Sequence, residues 1–263
     1  MLRVFSYLSS EVDWCEANFE HSEYIAEYYN TISNVAFFLL APTMLWLNTD
    51  YIAYRPTPIR GFVILQIFIG FFSLYYHMTL SYAGQLLDEL SILWTMCISY
   101  AFWFPVRYFP GFIKNRDQFI TFVAMVTVTS TFMSFVKPAL NAYVLNCVAF
   151  HLLYLAYQEV RRCSSPAVRR AAVTMTFWWV IAISCWLVDK FFCSFCQKLN
   201  FCYLHSFWHV FINIALLHCI TLILFFDIYH DLPSSEPAME FWPSNTFPIT
   251  LPYVTVRKPL KWC

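Results

Sequence analysis

Charge and glycine are both scarce in this sequence of 263 residues. Only 12% of the residues are charged, and there are 4 glycines. Soluble domains are about 25% charged, so the composition argues against a soluble protein. A chain that is 60% hydrophobic is not disordered either. The 16 basic residues balance the 16 acidic residues, and this zero net charge argues against a nucleic-acid partner, which would need a basic face.

Several short signals are also missing. No glycine pair is spaced as GxxxG, no N-x-[ST] sequon occurs, and the first 16 residues contain no long apolar core. These absences predict no glycine-mediated helix dimer, no N-glycosylation and no cleaved signal peptide.

Long stretches without Asp, Glu, Lys or Arg are abundant instead. An ionised side chain at the bilayer centre costs about 2.5–3.5 kcal/mol, so such stretches mark membrane spans. Each lies near the roughly 17–25 residues that a helix needs to cross the hydrocarbon. They occupy residues 28–49, 61–87, 90–106, 118–136, 138–158, 171–188 and 199–226. The sequence therefore predicts an all-α protein with seven transmembrane helices, the third of which reaches full length only if Asp88 and Glu89 open it.

The basic residues are distributed unevenly between the predicted loops. Seven spans put the termini on opposite sides, and four basic residues then fall on the side of the N-terminus against twelve on the other side. Because loops rich in Lys and Arg stay in the cytosol, the N-terminus is expected to be luminal and the C-terminus cytosolic. We expect a luminal segment at residues 1–27, a seven-helix domain at 28–226 and a cytosolic tail at 227–263.

Polar side chains within or beside the spans gather at the luminal end. Ser73 and His77 lie one helical turn apart in the second span, and His205 and His209 have the same spacing in the seventh. Two histidines at i and i+4, with a third from another helix, are a usual way to bind Zn²⁺ while leaving a position for water. A lone histidine in a membrane helix is more often a hydrogen-bonded core residue. We assign that structural role to His218.

Two acidic regions lie at the same end. Asp88 and Glu89 begin the third span, and Asp189 ends the sixth, where pairing with Lys190 or a capping role is the simplest interpretation. The segment at residues 13–18 places oxygen-bearing side chains close together, as a hard cation such as Ca²⁺ requires. The spacing is not that of an EF-hand, and acidic runs are usually only solvated surface.

Several longer motifs resemble those of the alkaline ceramidases over essentially the whole chain. They are DWCEANF, EYIAEYYNTISN, SLYYHMTLSYAGQLLDEL, WLVDKFFCSF, YLHSFWHV and FWPSNTFPITLPYV. The resemblance implies a membrane enzyme of the endoplasmic reticulum, or alternatively the Golgi. It also implies hydrolysis of the amide bond of ceramide, within the bilayer, to sphingosine and a free fatty acid. No protein partner is deducible.

The same resemblance assigns roles to individual residues. The implied zinc ligands are His77, His205 and His209, and the implied catalytic residues are Ser73 and Asp88. The implied calcium ligands are Asp13, Glu16, Asn18, Glu27 and the main-chain carbonyl of Trp14. The family pattern also pairs Cys15 with Cys193 in a disulfide.

A mechanism follows from these assignments. A zinc-activated water is the expected nucleophile, Asp88 its base and the proton donor to the leaving nitrogen, and Ser73 either orients the water or donates to the oxyanion. A receptor with a structural zinc would need neither Ser73 nor Asp88. A proton-coupled transporter would need polar residues through to the far side, whereas here they cluster at one end.

Overall fold

The chain is almost entirely helical in a computed structural model, which describes residues 3–137, 139–231 and 233–256. Short 3-10 turns occur at Arg3–Phe5, Val106–Tyr108 and Pro233–Ser235. The α-helices are α1 (Tyr28–Ser33), α2 (Val35–Leu47), α3 (Thr49–Tyr54), α4 (Pro56–Thr79), α5 (Tyr82–Trp103), α6 (Arg116–Val136), α7 (Ala139–Arg162), α8 (Pro166–Phe191), α9 (Cys193–Lys198) and α10 (Leu204–Asp231). Two strands follow, β1 (Pro237–Trp242) and β2 (Leu251–Val256).

Each predicted span overlaps a long helix over most of its described length, with residue 138 of the fifth span outside the described residues, but the helices differ in apolar character. Within the described part of the chain, five helical stretches are long and apolar enough to cross a membrane. They are Tyr28–Leu47, Pro56–Thr79, Arg116–Val136, Pro166–Phe191 and Leu204–Asp231. The other two predicted spans correspond to α5 and α7, which are helices of 22 and 24 residues with more polar side chains.

The start of α5 differs from the prediction. The helix begins at Tyr82, so Asp88 and Glu89 lie inside it and do not open it. Ser81 sets this earlier start because its side-chain oxygen accepts the Gly84 N–H at 3.1 Å, which is a usual N-cap interaction. Both acids are thereby held on a regular helix.

Helix α10 is the centre of the bundle. It packs against α8, α2 and α1, and Leu217, Ile220 and Leu224 on it are at most 2% exposed. Helix α6, by contrast, exposes large apolar side chains such as Phe132, which is 68% exposed. Such an apolar outer surface suits a lipid environment. The predicted histidine pair therefore lies on the most enclosed helix.

The N-terminal segment is hydrogen-bonded to the end of α4. Leu80, at φ 46°, closes that helix in the left-handed region. Its carbonyl accepts the Ser10 N–H at 2.9 Å, and the His77 carbonyl accepts the Glu27 N–H at 3.0 Å. The segment is thus held against the end of α4 that carries His77.

The residues after α10 form an antiparallel hairpin that the all-α prediction missed. In its register, Pro237 pairs with Val256 and Trp242 with Leu251. Met239, Phe241 and Val254 join the core cluster that α10 dominates, and the buried Asn48 side chain accepts the Val254 N–H at 2.9 Å. Helix α10 also continues to Asp231, past the predicted domain boundary at 226. The part of the tail that the structure describes is therefore packed onto the bundle.

A candidate metal centre and active site

Three histidines converge inside the helix bundle. His77 comes from the last turns of α4, whereas His205 and His209 lie one turn apart at the start of α10. Their ring centroids are 4.8–5.0 Å apart, and a ligand atom from each lies within 4.8 Å of the others. All three are at most 3% exposed. Packing of α4 near α10 thus joins the histidines that the sequence separates by more than a hundred residues.

Unpartnered nitrogen atoms in this cluster fit a metal ion. Nε2 of His77 and Nδ1 of His205 are buried and have no hydrogen-bond partner among the described residues. An unsatisfied buried polar group costs about 1–3 kcal/mol, so such atoms call for a ligand. Three neutral imidazoles are a preferred donor set for Zn²⁺. The chemistry of the site therefore fits zinc.

Two of the histidines are oriented by neighbours from the N-terminal part of the chain. Nδ1 of His77 is 2.5 Å from Oε2 of Glu27, and Nδ1 of His209 is 2.7 Å from Oγ of Ser33. Partners of this kind fix the ring and the tautomer of a metal-binding histidine and leave Nε2 for the metal. The sequence analysis missed Ser33, whose only signal is its position within the EYIAEYYNTISN motif.

Ser73 and Asp88 meet beside the histidine cluster. Ser73 lies one turn before His77 on α4 and is 3% exposed. The Asp88 carboxylate, which α5 brings alongside, lies near enough to interact electrostatically with the Ser73 hydroxyl. The tight turn between α4 and α5 places these two helices next to each other. Both implied catalytic residues therefore lie together near His77.

The acidic N-terminal segment folds into a polar cluster that adjoins the histidines through Glu27. Glu16 accepts the Asn30 N–H at 2.8 Å, and Glu27 accepts the Trp14 N–H at 3.1 Å. The Asp13 carboxylate accepts from the Asn18 amide at 3.2 Å. The residues implied as calcium ligands are thus linked by hydrogen bonds.

Two of the carboxyl groups in this cluster are buried without a lysine or arginine of the described chain beside them. Burial raises the pKa of Glu27 to about 8, opposed by hydrogen bonds from Asn30 and Trp14, and burial also raises the pKa of Glu16. Among the described residues, no Lys or Arg lies within ion-pair distance of either carboxylate. Oδ1 of Asn18 is buried and has no partner in the described part of the chain.

The disulfide between Cys15 and Cys193 is confirmed. It attaches the N-terminal segment to α9, next to the site. Asp189, expected beside Lys190 or as a cap, is 1% exposed and accepts the Cys15 N–H at 3.0 Å.

His218 lies outside the three-histidine cluster. Its Nδ1 is 2.8 Å from the Ile214 carbonyl of its own helix, in agreement with a structural role.

The architecture and the site define a helical membrane-type protein with a buried three-histidine centre. The profile of the family described as Ceramidase matches residues 6–255. The chain is 43% identical over 264 residues to alkaline ceramidase 1 of Homo sapiens, covering 100% of both chains. It is 43% identical to alkaline ceramidase 1 of Mus musculus, covering 100% of this chain and 97% of the relative. The identity to the alkaline ceramidase of Drosophila melanogaster is 39%, with coverages of 96% and 90%.

The chain therefore belongs to the Ceramidase family. The match spans both the N-terminal polar cluster and the β-hairpin as well as the helices between them.

Replacing Glu27 tests whether its carboxylate orients the His77 ring in the three-histidine cluster. We expect Glu27→Gln to weaken zinc binding by about 10- to 100-fold, because an amide supports the His77 ring less strongly than a carboxylate. Competition with a chromogenic chelator would measure the affinity. Glu23→Gln, at an exposed position of the same segment, is the matched control and should bind zinc normally. Equal affinities for the two variants would show that Glu27 does not support His77.

Proposed function

We propose that this protein hydrolyses the amide bond of ceramide in a zinc-dependent reaction that yields sphingosine and a free fatty acid. The observation that carries the proposal is the convergence of His77, His205 and His209 next to Ser73 and Asp88 in a member of the Ceramidase family. The human, mouse and Drosophila melanogaster relatives described above are all named alkaline ceramidases. Ceramide would be taken from the bilayer, since the outer helices present apolar surfaces.

The proposed chemistry assigns separate tasks to the metal and to the chain. The three histidines would hold Zn²⁺, which would supply Lewis-acid polarisation of the amide carbonyl and a water nucleophile whose pKa is lowered to about 7. Asp88 accepts the proton of that water and delivers it to the departing nitrogen of the sphingoid base. Ser73 holds Asp88 in place, and its hydroxyl is positioned to orient the water or to donate to the oxyanion.

A covalent serine mechanism is disfavoured by the same contacts. A nucleophilic serine needs an adjacent general base, most often a histidine. The histidines near Ser73 belong to the three-histidine cluster, and the carboxylate that interacts with Ser73 is that of Asp88. Attack by water is therefore the better fit.

Substituting the two proposed catalytic residues should lower turnover while the protein stays folded. We expect Asp88→Asn to lower kcat for ceramide by about 10²- to 10⁴-fold. Ser73→Ala should lower it by about 10²- to 10³-fold. Both variants should retain zinc. The assay follows free sphingosine released by the purified protein, with zinc content measured in parallel.

Two exposed substitutions serve as matched controls for that assay. Asp117→Asn and Ser184→Ala change the same side-chain types at exposed positions on α6 and α8, so both should keep wild-type turnover. Wild-type turnover in Asp88→Asn, or full activity in zinc-free protein, would refute the mechanism.

We further propose that Ca²⁺ binds Asp13, Glu16, Asn18, Glu27 and the Trp14 carbonyl. Support comes from the two buried carboxylates without a Lys or Arg partner in the described chain and from the unpartnered Asn18 oxygen. The ion would order the N-terminal segment over the site, since Trp14 stacks on the His205 ring at 3.8 Å and Glu27 contacts His77.

Calcium should therefore act on activity without taking part in the chemistry. Titrating Ca²⁺ into calcium-free protein that retains zinc should raise ceramide turnover. Glu16→Gln should shift that response to higher Ca²⁺, whereas Glu23→Gln should respond as the wild type. Turnover that is indifferent to Ca²⁺ would rule out the proposed role.

We propose, finally, that all seven predicted spans cross the membrane with the N-terminal segment in the lumen of the endoplasmic reticulum, or alternatively of the Golgi. The uneven distribution of basic residues supports this orientation. It places the histidine cluster at the luminal end and the β-hairpin in the cytosol.

The absence of natural sequons makes the orientation easy to test. Leu8→Asn creates N-S-S at an exposed residue with φ 57°, a conformation that asparagine tolerates. Phe247→Thr creates N-T-T in the connection between β1 and β2. In cells we expect the first variant, and not the second, to gain an endoglycosidase-sensitive increase in mass. The opposite result would reverse the orientation.

A further inference from the structure

Glu89 is a second, partly buried carboxylate next to the proposed catalytic acid. Because consecutive helical residues are turned by about 100°, Glu89 points away from Asp88 and toward α7. Oε1 of Glu89 accepts from the Gln85 amide at 3.0 Å, and Oε2 accepts from the Asn141 amide at 3.2 Å. No Lys, Arg or His of the described chain lies within ion-pair distance of it, although Lys190 attracts it from further away.

This arrangement is fixed from both sides. Gln85 is 2% exposed, and its side-chain carbonyl oxygen accepts the Glu11 N–H at 2.9 Å. The N-terminal segment therefore holds the Gln85 side chain in place. Asn141 belongs to the first turn of α7 and is also 2% exposed. The amide groups therefore present Glu89 in a defined position. Each of its oxygens retains a lone pair for a further hydrogen bond.

An unpartnered oxygen lies next to Glu89. Oδ1 of Asn141 is buried and has no hydrogen-bond partner among the described residues. Asn141 lines a cavity of about 160 Å³ between α6 and α7, together with Thr129, Ser130, Met133, Ser134 and Val144. A buried oxygen without a partner at the wall of a cavity indicates a ligand that donates a hydrogen bond.

The other polar groups of this cavity also offer acceptors. The Ser134 hydroxyl donates to the Ser130 carbonyl at 2.9 Å, and the Thr129 hydroxyl donates to the Met125 carbonyl at 2.9 Å. Their protons are used within α6, so their oxygens remain free to accept. These acceptors, and the Glu89 carboxylate that Asn141 contacts from behind the cavity wall, favour a ligand that donates a hydrogen bond and oppose an anionic group.

Glu89 and the proposed catalytic acid are neighbours on α5. Asp88 directly precedes Glu89, and its carboxylate interacts electrostatically with both Glu89 and Ser73. Tyr76, whose ring centroid is 4.9 Å from that of His77, is within electrostatic reach of both Asp88 and Glu89. The polar end of ceramide carries its amide and a primary hydroxyl separated by two carbon atoms. A substrate whose amide is held near Asp88 can thus extend its hydroxymethyl group toward Glu89.

We propose that Glu89 and Asn141 form a subsite that binds the primary hydroxyl of the sphingoid head group. The proposal rests on ceramide hydrolysis as the proposed function and identifies how its substrate is selected. The hydroxyl donates its single proton to the Glu89 carboxylate, and the Asn141 amide holds that carboxylate in place. A phosphate ester at the same position would place a negative charge against Glu89 and is excluded.

Two substrates that differ only in this hydroxyl test the proposal. The full-length, zinc-loaded protein is assayed with ceramide and with 1-deoxyceramide of the same acyl chain, and kcat/KM is measured for both. A charge-assisted hydrogen bond corresponds to a preference of about 10- to 100-fold for ceramide. Glu89→Gln and Asn141→Ala should each lower kcat/KM for ceramide and bring the ratio of the two substrates toward 1.

Controls distinguish this role from a structural one. Glu23→Gln should keep the wild-type ratio, and zinc content with a thermal unfolding transition checks that each variant is folded. If Glu89→Gln does not fold, Asn141→Ala decides the question. An unchanged ratio in the folded variants, or an equal loss for both substrates, would overturn the subsite. A wild-type protein that hydrolyses neither lipid would instead overturn the proposed function.

Discussion

The contact between Glu27 and His77 joins the two parts of the molecule on which the site depends. Both side chains are fully buried, and their hydrogen bond is 2.5 Å long. Glu27 also receives the Trp14 N–H, while His77 belongs to the end of α4. A buried carboxylate and a buried imidazole are each costly alone, so each constrains the other. The N-terminal segment, the metal cluster and the α4–α5 turn are consequently one structural unit.

Much of this site was predictable because an ionised side chain inside a membrane has a high free-energy cost. Few ionisable residues occur in the long apolar helices, so the helical spacing of His205 and His209 and the late position of His77 pointed to a metal site, and the family motifs then assigned the three ligands. The pairing of Cys15 with Cys193 needed the family motifs, since the sequence alone offers several luminal cysteines. The same is true of Glu27, which lies far from the 13–18 segment along the chain.

Other features depend on packing that no local pattern reveals. Ser33 is one of many serines until α1 is placed against α10, where it contacts His209. The helical start at Tyr82 depends on the Ser81 cap, whereas charge counting suggested a later start. The β-hairpin was missed because its strands are short and rich in proline. Their stability comes from burial against α10 and from Asn48, both distant in sequence.

The disulfide has a consequence for how the protein is made. Its two cysteines are separated by 178 residues, which at 5–20 residues per second corresponds to roughly 10–40 s of synthesis. During that time the Cys15 thiol has been translated but its partner has not. His205 and His209 follow later still, in α10. A nascent chain that ends before α10 therefore cannot hold the N-terminal segment over a complete set of three histidines. Assembly of the centre is therefore among the last events of biosynthesis, and quality control that recognises an unpaired Cys15 would act on chains in which the site has not yet formed.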